Sequence, residues 1–446
     1  MMTLKTFSCA FLVGCSFILL APSTHQKGNK YFPMGEITIC NEPKGCVFRT
    51  LFGEEPSGSV FKFETPQNVG NSIEKGLQWM LGAQLSSGGW GAGSHHRQLV
   101  MDPLAVNADP ATTAMVGMAF LRTGTTFTSG ENSRQLREAL YYLIESVETT
   151  PSYRMQITAE TGTQIQTKLG QNIDAVLALQ FFSNAMDYLQ HDPHLKERVM
   201  SCMNICSEKI QKVQDIDGSF KGSGWAGVLH SALANSALES AQNQGADIDD
   251  EVLQKSRDYQ KGNYDAKTGR VKTDRGAGVV LYSVSGSARA TAKEARKVKE
   301  AMNIAKREGR LKGDAKVSAE NLMEIGFTQE EALEYVTSYE IYESSKTAAQ
   351  DDRVMDGFGS NGGEEFLSYL QTGESLMINR DQGWKTWYYN ISGRLISIQN
   401  LDGSWNGHHC ITSPVFCTAT TLLILSINKD IDRLEALGNN NNSDQW

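Results

Sequence analysis

The sequence predicts an all-α fold made of degenerate helical hairpins, and three observations carry that reading. The heptapeptides Gln84-Leu85-Ser86-Ser87-Gly88-Gly89-Trp90, Gln214-Asp215-Ile216-Asp217-Gly218-Ser219-Phe220 and Gln399-Asn400-Leu401-Asp402-Gly403-Ser404-Trp405 share one pattern, Gln-x-x-[Ser/Asp]-Gly-[Gly/Ser]-aromatic. Each follows an amphipathic helical stretch, such as 71–83, and precedes a helix of small or apolar residues, such as 110–121. Finally, 41 glycines against 10 prolines place many tight turns between regular elements. With 40% apolar and 9% aromatic residues, the 446-residue chain can bury a large core.

In chain order, residues 1–21 carry one cation, Lys5, and then an apolar run shorter than the ~20 residues of a membrane span, which reads as a secretory signal. Within it, Leu12-Val13-Gly14-Cys15 resembles a bacterial lipobox, so the mature chain is expected to be either lipid-anchored through Cys15 or cleaved after residue 21. Both routes predict a periplasmic or extracellular protein with no transmembrane span. Residues 22–66 form a small lead with strand-like pieces at 36–39 and 59–63. Cysteines beyond the signal fall in three pairs, Cys40/Cys46, Cys202/Cys206 and Cys410/Cys417, of which the first flanks a turn and is the best disulfide candidate.

Small, apolar segments at 110–121, 172–186, 225–240, 364–377 and 414–427 are expected to be inner helices, and the more charged 133–146, 194–213 and 251–259 outer ones. From Arg289 to Lys316 the chain has ten Lys/Arg against four Asp/Glu, and 320–352 is acidic, which reads as a solvated helical insertion near 289–352. Inside it, Leu322–Phe327 with Ala332-Leu333 resembles a ubiquitin-binding helical module, read as coincidence in an exported chain. Residues 431–446, with four consecutive Asn, read as a disordered tail.

The heptapeptides resemble the QW motifs of the prenyltransferase and squalene-oxidase repeat, shared by squalene-hopene cyclases, oxidosqualene cyclases and protein prenyltransferase β subunits. The last copy, followed by Thr418-Ala419-Thr420-Thr421-Leu422-Leu423, carries the likeness furthest, and Asp109-Pro110-Ala111-Thr112-Thr113-Ala114 fits the start of an inner helix. The resemblance covers about residues 67–430. It implies an α/α toroid with a central cavity, and a structural role for the Gln, Gly and aromatic residues as staples between hairpins.

Chemistry is less legible. Cyclases of this type protonate an alkene with an Asp-x-Asp-Asp cluster. Asp247-Ile248-Asp249-Asp250 has those letters but opens a charged helix, where capping explains it. Asp109 stands in the matching context, and it is both a catalytic candidate and an ideal N-cap before Pro110. The zinc pattern of the prenyltransferases has no counterpart. Two doublets, His95-His96 and His408-His409-Cys410, closely follow a repeat aromatic. If the last repeat packs on the first, they become neighbours that could hold a transition metal such as zinc, with Asp102 or Asp109 adding a carboxylate. Trp225, His230, Glu364 and Glu365 are cavity or rim candidates, although Glu364 and Glu365 also suit a helix N-terminus. The excess of 51 Asp+Glu over 42 Lys+Arg, a net charge of −9, argues against nucleic-acid binding. The expectation is therefore an exported protein binding an apolar small molecule or a peptide in the cavity or at its rim. The alternative is a cyclase-like or metal-assisted enzyme.

Overall fold

A computed structural model describes residues 63–437 except 221, 223, 266, 269, 272–278 and 358–360. Residues 1–21 read as a signal, Cys15, the pair Cys40/Cys46 and almost all of the lead expected at 22–66 lie outside the described residues. Of the lead, Phe63 packs edge-on against Trp384 and Tyr388 at 5.1 and 5.2 Å, and its carbonyl accepts a bond from Asn428 Nδ2 at 3.1 Å.

The described residues are mostly helical, with sixteen α-helices. In order these are α1 (Gln67–Gly82), α2 (Pro110–Arg122), α3 (Ser133–Thr149), α4 (Gln164–Leu169), α5 (Ile173–Ala185), α6 (Pro193–Gln211), α7 (Gly227–Asn243) and α8 (Asp250–Lys261). A two-residue antiparallel ladder follows, β1 (Tyr264–Asp265) with β2 (Arg270–Val271), pairing Tyr264 with Val271. The rest are α9 (Val280–Arg307), α10 (Ala319–Glu324), α11 (Gln329–Ala348), α12 (Asp352–Met355), α13 (Gly363–Ile378), α14 (Trp384–Ser397), α15 (Pro414–Leu425) and α16 (Ile431–Leu437).

Two kinds of helix alternate. Every residue of α2 and of α15 is buried, as expected of helices that are apolar all round. In α3, by contrast, only the stripe containing Leu136, Leu140, Leu143 and Val147 is buried. The buried helices contact one another in a closed order: α2 with α5, α5 with α7, α7 with α9, α9 with α13, α13 with α15, and α15 back to α2. Small residues allow the approach. A Cβ on Gly117 of α2 would sit 2.5 Å from the Phe181 ring of α5.

The three heptapeptides adopt one geometry. Each closes with a bond from the second residue's amide to the sixth residue's carbonyl, 3.0, 2.8 and 2.9 Å in chain order. The glycine takes φ of +85°, +83° and +94°, and a Cβ there would strike the backbone carbonyl of Glu138, Lys255 or Lys75 at 2.8, 2.1 and 2.6 Å. Glutamine works as a staple, though not on an open helix end. Its Nε2 bonds the carbonyl of Gln135, Val252 or Ser72, at 3.1, 2.8 and 3.0 Å, in the first half of a neighbouring half-buried helix. That carbonyl uses its second lone pair. The tryptophans bond the helix ends: Trp90 Nε1 donates to the Met80 carbonyl at 3.0 Å and Trp405 Nε1 to the Leu395 carbonyl at 2.8 Å, each in the last turn of the preceding helix and each also accepting a backbone amide, Ala83 N or Ile398 N, at 3.2 Å. Ser72 and Gln399 join the first and last repeats. Gln382-Gly383-Trp384, whose letters partly match the pattern, forms no such turn, because Trp384 opens α14.

Three regions differ from the sequence reading. A sixth buried helix, α9, went unrecognised because its basic half resembles an exposed face, yet Arg289 and Arg296 are only 4% and 2% exposed. The insertion read from 289 thus begins inside a buried helix. Beyond it, Val298, Met302, Leu322 and Phe327 form a separate small core between α9, α10 and α11. The tail read as disordered from 431 instead starts with α16, whose Leu434 is 1% exposed. Residues 438–446 lie outside the described residues. No helix among the described residues is long and apolar enough to cross a membrane.

Candidate functional site at the helix N-termini

Asp109 caps α2 with both oxygens. Oδ1 accepts from Thr112 N at 2.8 Å, and Oδ2 accepts from Ala92 N at 2.8 Å and Thr112 Oγ1 at 2.9 Å. Burial nevertheless pushes its carboxyl up to about 6. Asp174, in the first turn of α5, accepts from Ile157 N at 3.1 Å and Ala175 N at 2.8 Å, and burial raises it to about 7. In both cases the amides stabilise the ionised form, but removal from water outweighs them. With its lone pairs committed to a cap, Asp109 is poorly placed to protonate a substrate.

The carboxyl pair at the start of α13 is different. Glu364 and Glu365 are both fully buried. Glu365 reaches back to the Gly362 amide at 2.9 Å, the return half of a capping box, and accepts from Tyr282 Oη of α9 at 3.2 Å. His409 Nε2 lies 3.9 Å from the same Glu365 oxygen. Burial raises the Glu365 carboxyl, and His409 opposes that rise. Glu364 accepts from Ile411 N at 3.3 Å through Oε2, while its buried Oε1 has no hydrogen-bond partner among the described residues. Burial, then the neighbouring Glu365, push the Glu364 carboxyl up to about 8, so it holds its proton at neutral pH.

Residues 407–412 cover this pair. His408 N bonds Asn361 O at 2.8 Å, and Gly363 N bonds Ile411 O at 3.0 Å. Cys410 adopts a left-handed φ of +58°, a strained conformation for a residue with a Cβ. From the first repeat, Gln98 Nε2 reaches the Cys410 carbonyl at 2.6 Å and His95 Nδ1 at 2.7 Å. Because an amide NH2 only donates, Nδ1 is the acceptor there. From α4, Gln164 Oε1 accepts from the amides of Thr412 and Ser413 at 2.7 and 3.1 Å. Lys168, which also bonds the Cys410 thiol, lies 4.8 Å above the ring of the half-exposed Trp225.

The loops carrying the two histidine doublets therefore do meet, through Gln98 and the Cys410 carbonyl. They do not meet as ligands. No group of three His, Cys, Asp or Glu among the described residues is arranged to hold a metal ion. His96 and His408 are exposed, and burial followed by Glu364 pushes the Cys410 thiol up to about 11, away from the thiolate a metal needs. Cys202, Cys206, Cys410 and Cys417 are all free thiols. His230 is fully buried on α7, as a core residue would be.

Sequence reasoning missed Tyr282, Asp174, Gln98 and the α4 pair Gln164 and Lys168. A signal existed for α4, since Thr163 and Gln166 form a capping box that spacing alone displays. Tyr282 had none, because α9 was not recognised as a buried helix.

At the opposite end, the buried helices surround a cavity of about 40 Å³ lined by residues such as Met115, Leu177, Leu233, Leu370 and Arg289. That is room for a few water molecules and not for the apolar ligand expected in a central hollow. Comparison with described protein families, curated proteins and solved structures finds no match to this chain.

Proposed function

We propose that this chain is an exported α/α toroid of the prenyltransferase and squalene-oxidase repeat type, preceded by a short extended lead, that binds a peptide-like ligand at the rim formed by its inner-helix N-termini. The closed contact order of six buried helices and the common geometry of the three Gln-to-aromatic turns support the toroid. Export rests on residues 1–21 and the lipobox-like Cys15.

The observation that carries the rim reading is the open Oε1 of Glu364 beneath residues 407–412. A buried, protonated carboxyl with an unengaged oxygen offers a hydrogen bond to an incoming carbonyl or amide. Trp225 and Lys168 at the edge offer an aromatic face and a cation beside it. The test is a peptide-mixture screen by saturation-transfer NMR on wild type, Glu364→Gln and Trp225→Ala. Hits bound by wild type should weaken at least fivefold in both variants. Hits that bind all three equally would defeat the rim reading.

A second reading, an acid catalyst, is favoured by one feature: two adjacent carboxyls, of which Glu364 is held neutral near pH 7. In that reading Glu364, not Asp109, donates the proton, and the metal-assisted form loses support because the ligand set is not assembled. An activity whose alkaline limb follows the Glu364 carboxyl and disappears in Glu364→Gln would favour it.

A further inference from the structure

We infer that the connections leading into α2 and α5 form an interfacial patch that inserts into the surface of a phospholipid bilayer. The inference does not depend on the rim reading and takes only its setting from the export reading of residues 1–21.

Leu99, Met101 and Leu104 lie close together on the connection into α2 and are 91%, 40% and 56% exposed. Tyr153 and Met155, on the connection into α5, are 82% and 41% exposed. Hydrogen bonds join the two connections. His95 N donates to Gly162 O at 3.0 Å, Gln164 N to Gly93 O at 2.9 Å, and Asn107 Nδ2 to Glu160 Oε1 at 2.9 Å. The apolar tips therefore belong to one surface and are not scattered singly over the molecule.

Their backbones are pinned in the exposed position. Leu99 follows Gln98, whose side chain bonds the Cys410 carbonyl at 2.6 Å and whose own carbonyl accepts from Thr412 Oγ1 at 2.7 Å. Asp102 caps the short turn carrying Leu104 by accepting from its amide at 3.0 Å. Lys209 of α6 donates to the carbonyls of Pro151 and Arg154 at 3.2 and 2.7 Å, which fixes the turn bearing Tyr153. Apolar surface held in water this way gains from transfer to an apolar phase.

Shape and charge select the occupant. Exposures of 91% and 82% are those of projections and not of groove linings, so a protein partner or a second copy would have to supply a matching concave face. A fluid bilayer needs no such match. Aliphatic tips with a tyrosine and flanking cations are the mixture that settles at a membrane–water interface. Arg97 and Arg154 are both exposed beside the tips, while the nearby acids are engaged, Asp102 as a cap and Glu160 by Asn107. Although the chain carries a net −9, the uncommitted charge at this place is basic and suits anionic headgroups. In the anchored form expected from Cys15, the patch is a second contact that fixes which face meets the membrane.

The test uses the full chain with vesicles of phosphatidylethanolamine and phosphatidylglycerol, plain or with brominated acyl chains that quench tryptophan on contact. All substitutions are at exposed positions. The emission added by Leu99→Trp should fall by roughly half or more on brominated vesicles, as expected of a side chain at the acyl boundary. The emission added by Tyr188→Trp, beyond the C-terminus of α5 and 42% exposed, should not change. Met101→Ser/Leu104→Ser in the Leu99→Trp background should roughly halve the quenching. Vesicle-bound protein whose Leu99→Trp emission is unquenched, or is quenched no more than that of Tyr188→Trp, would overturn the proposal, since attachment would then run through another segment. Failure to bind the vesicles at all would overturn it too, as would self-association in buffer that Met101→Ser/Leu104→Ser abolishes.

Discussion

The two ends of the buried helices solve the same electrostatic problem in opposite ways. At the N-termini, Asp109, Asp174, Glu364 and Glu365 satisfy the helix amides, as the macrodipole favours, but burial leaves their carboxyls raised. At the C-termini, arginines meet acids directly. Arg122 bonds Glu374 at 2.6 Å, Asp430 at 2.9 Å and the Leu423 carbonyl at 3.2 Å, and Arg433 also pairs with Asp430. Burial pushes the Asp430 carboxyl up, but Arg433 and Arg122 together hold it below the usual range. The contrast teaches that helix-end charge is not one device. Acids compensated by amides keep protons available near neutrality, whereas acids compensated by guanidinium groups stay ionised and bind the structure together.

Breaking the C-terminal network is the harshest test of this comparison. Arg122→Ala leaves Glu374 and Asp430 short of a partner in a buried setting and should cost about 3–5 kcal/mol in urea unfolding at pH 7. A loss under about 1 kcal/mol would mean that the two ends do not differ as described.

The next test is a sign. The Glu364 carboxyl rises from 4.5 to about 8 on folding, so the native state holds the extra proton between those values. Its contribution is complete below pH 4.5 and is lost as pH climbs through 8. Glu364→Gln should match wild type near pH 5 and exceed it by roughly 1–3 kcal/mol at pH 9. Parallel stability curves for the two proteins would remove the claim that this acid is neutral in the fold.

The smallest effect sharpens the comparison by leaving both ends untouched. Gln214→Ala removes the bonds to Gly218 O and Val252 O, at 3.2 and 2.8 Å, on the periphery. It should cost about 1 kcal/mol by thermal or urea unfolding. The difference between wild type and this variant should not change with pH between 5 and 9.

The legible part of the fold was the part with local causes. The helix expected at 110–121 is Pro110–Arg122, and the one at 414–427 is Pro414–Leu425, because Asp109-Pro110 and Ser413-Pro414 write an N-cap and N1 into the chain. Glu364 and Glu365, read as rim candidates that also suit a helix N-terminus, do stand in the first turn of α13. The basic half of α9 was misread because a run of Lys and Arg signals solvent only when no acids arrive from elsewhere. Here Arg289 meets Glu239 at 3.0 Å, fifty positions away in the chain. The histidine doublets show the converse: their loops meet where α2 and α15 pack together, but whether they form ligands depended on side-chain direction.

Sequence by itself determined the alternation of buried and half-buried helices, their caps, and the turns in which glycine must take a positive φ. These rest on contacts a few residues apart, so composition and spacing record them. Only the tertiary structure decided that Glu364 keeps an open oxygen beside Glu365 and Tyr282, that Cys410 is a protonated thiol, and that α16 fills the far end. Burial and charge at each of those points come from segments far apart in sequence, and a carboxyl or thiol takes its chemistry from what surrounds it in space.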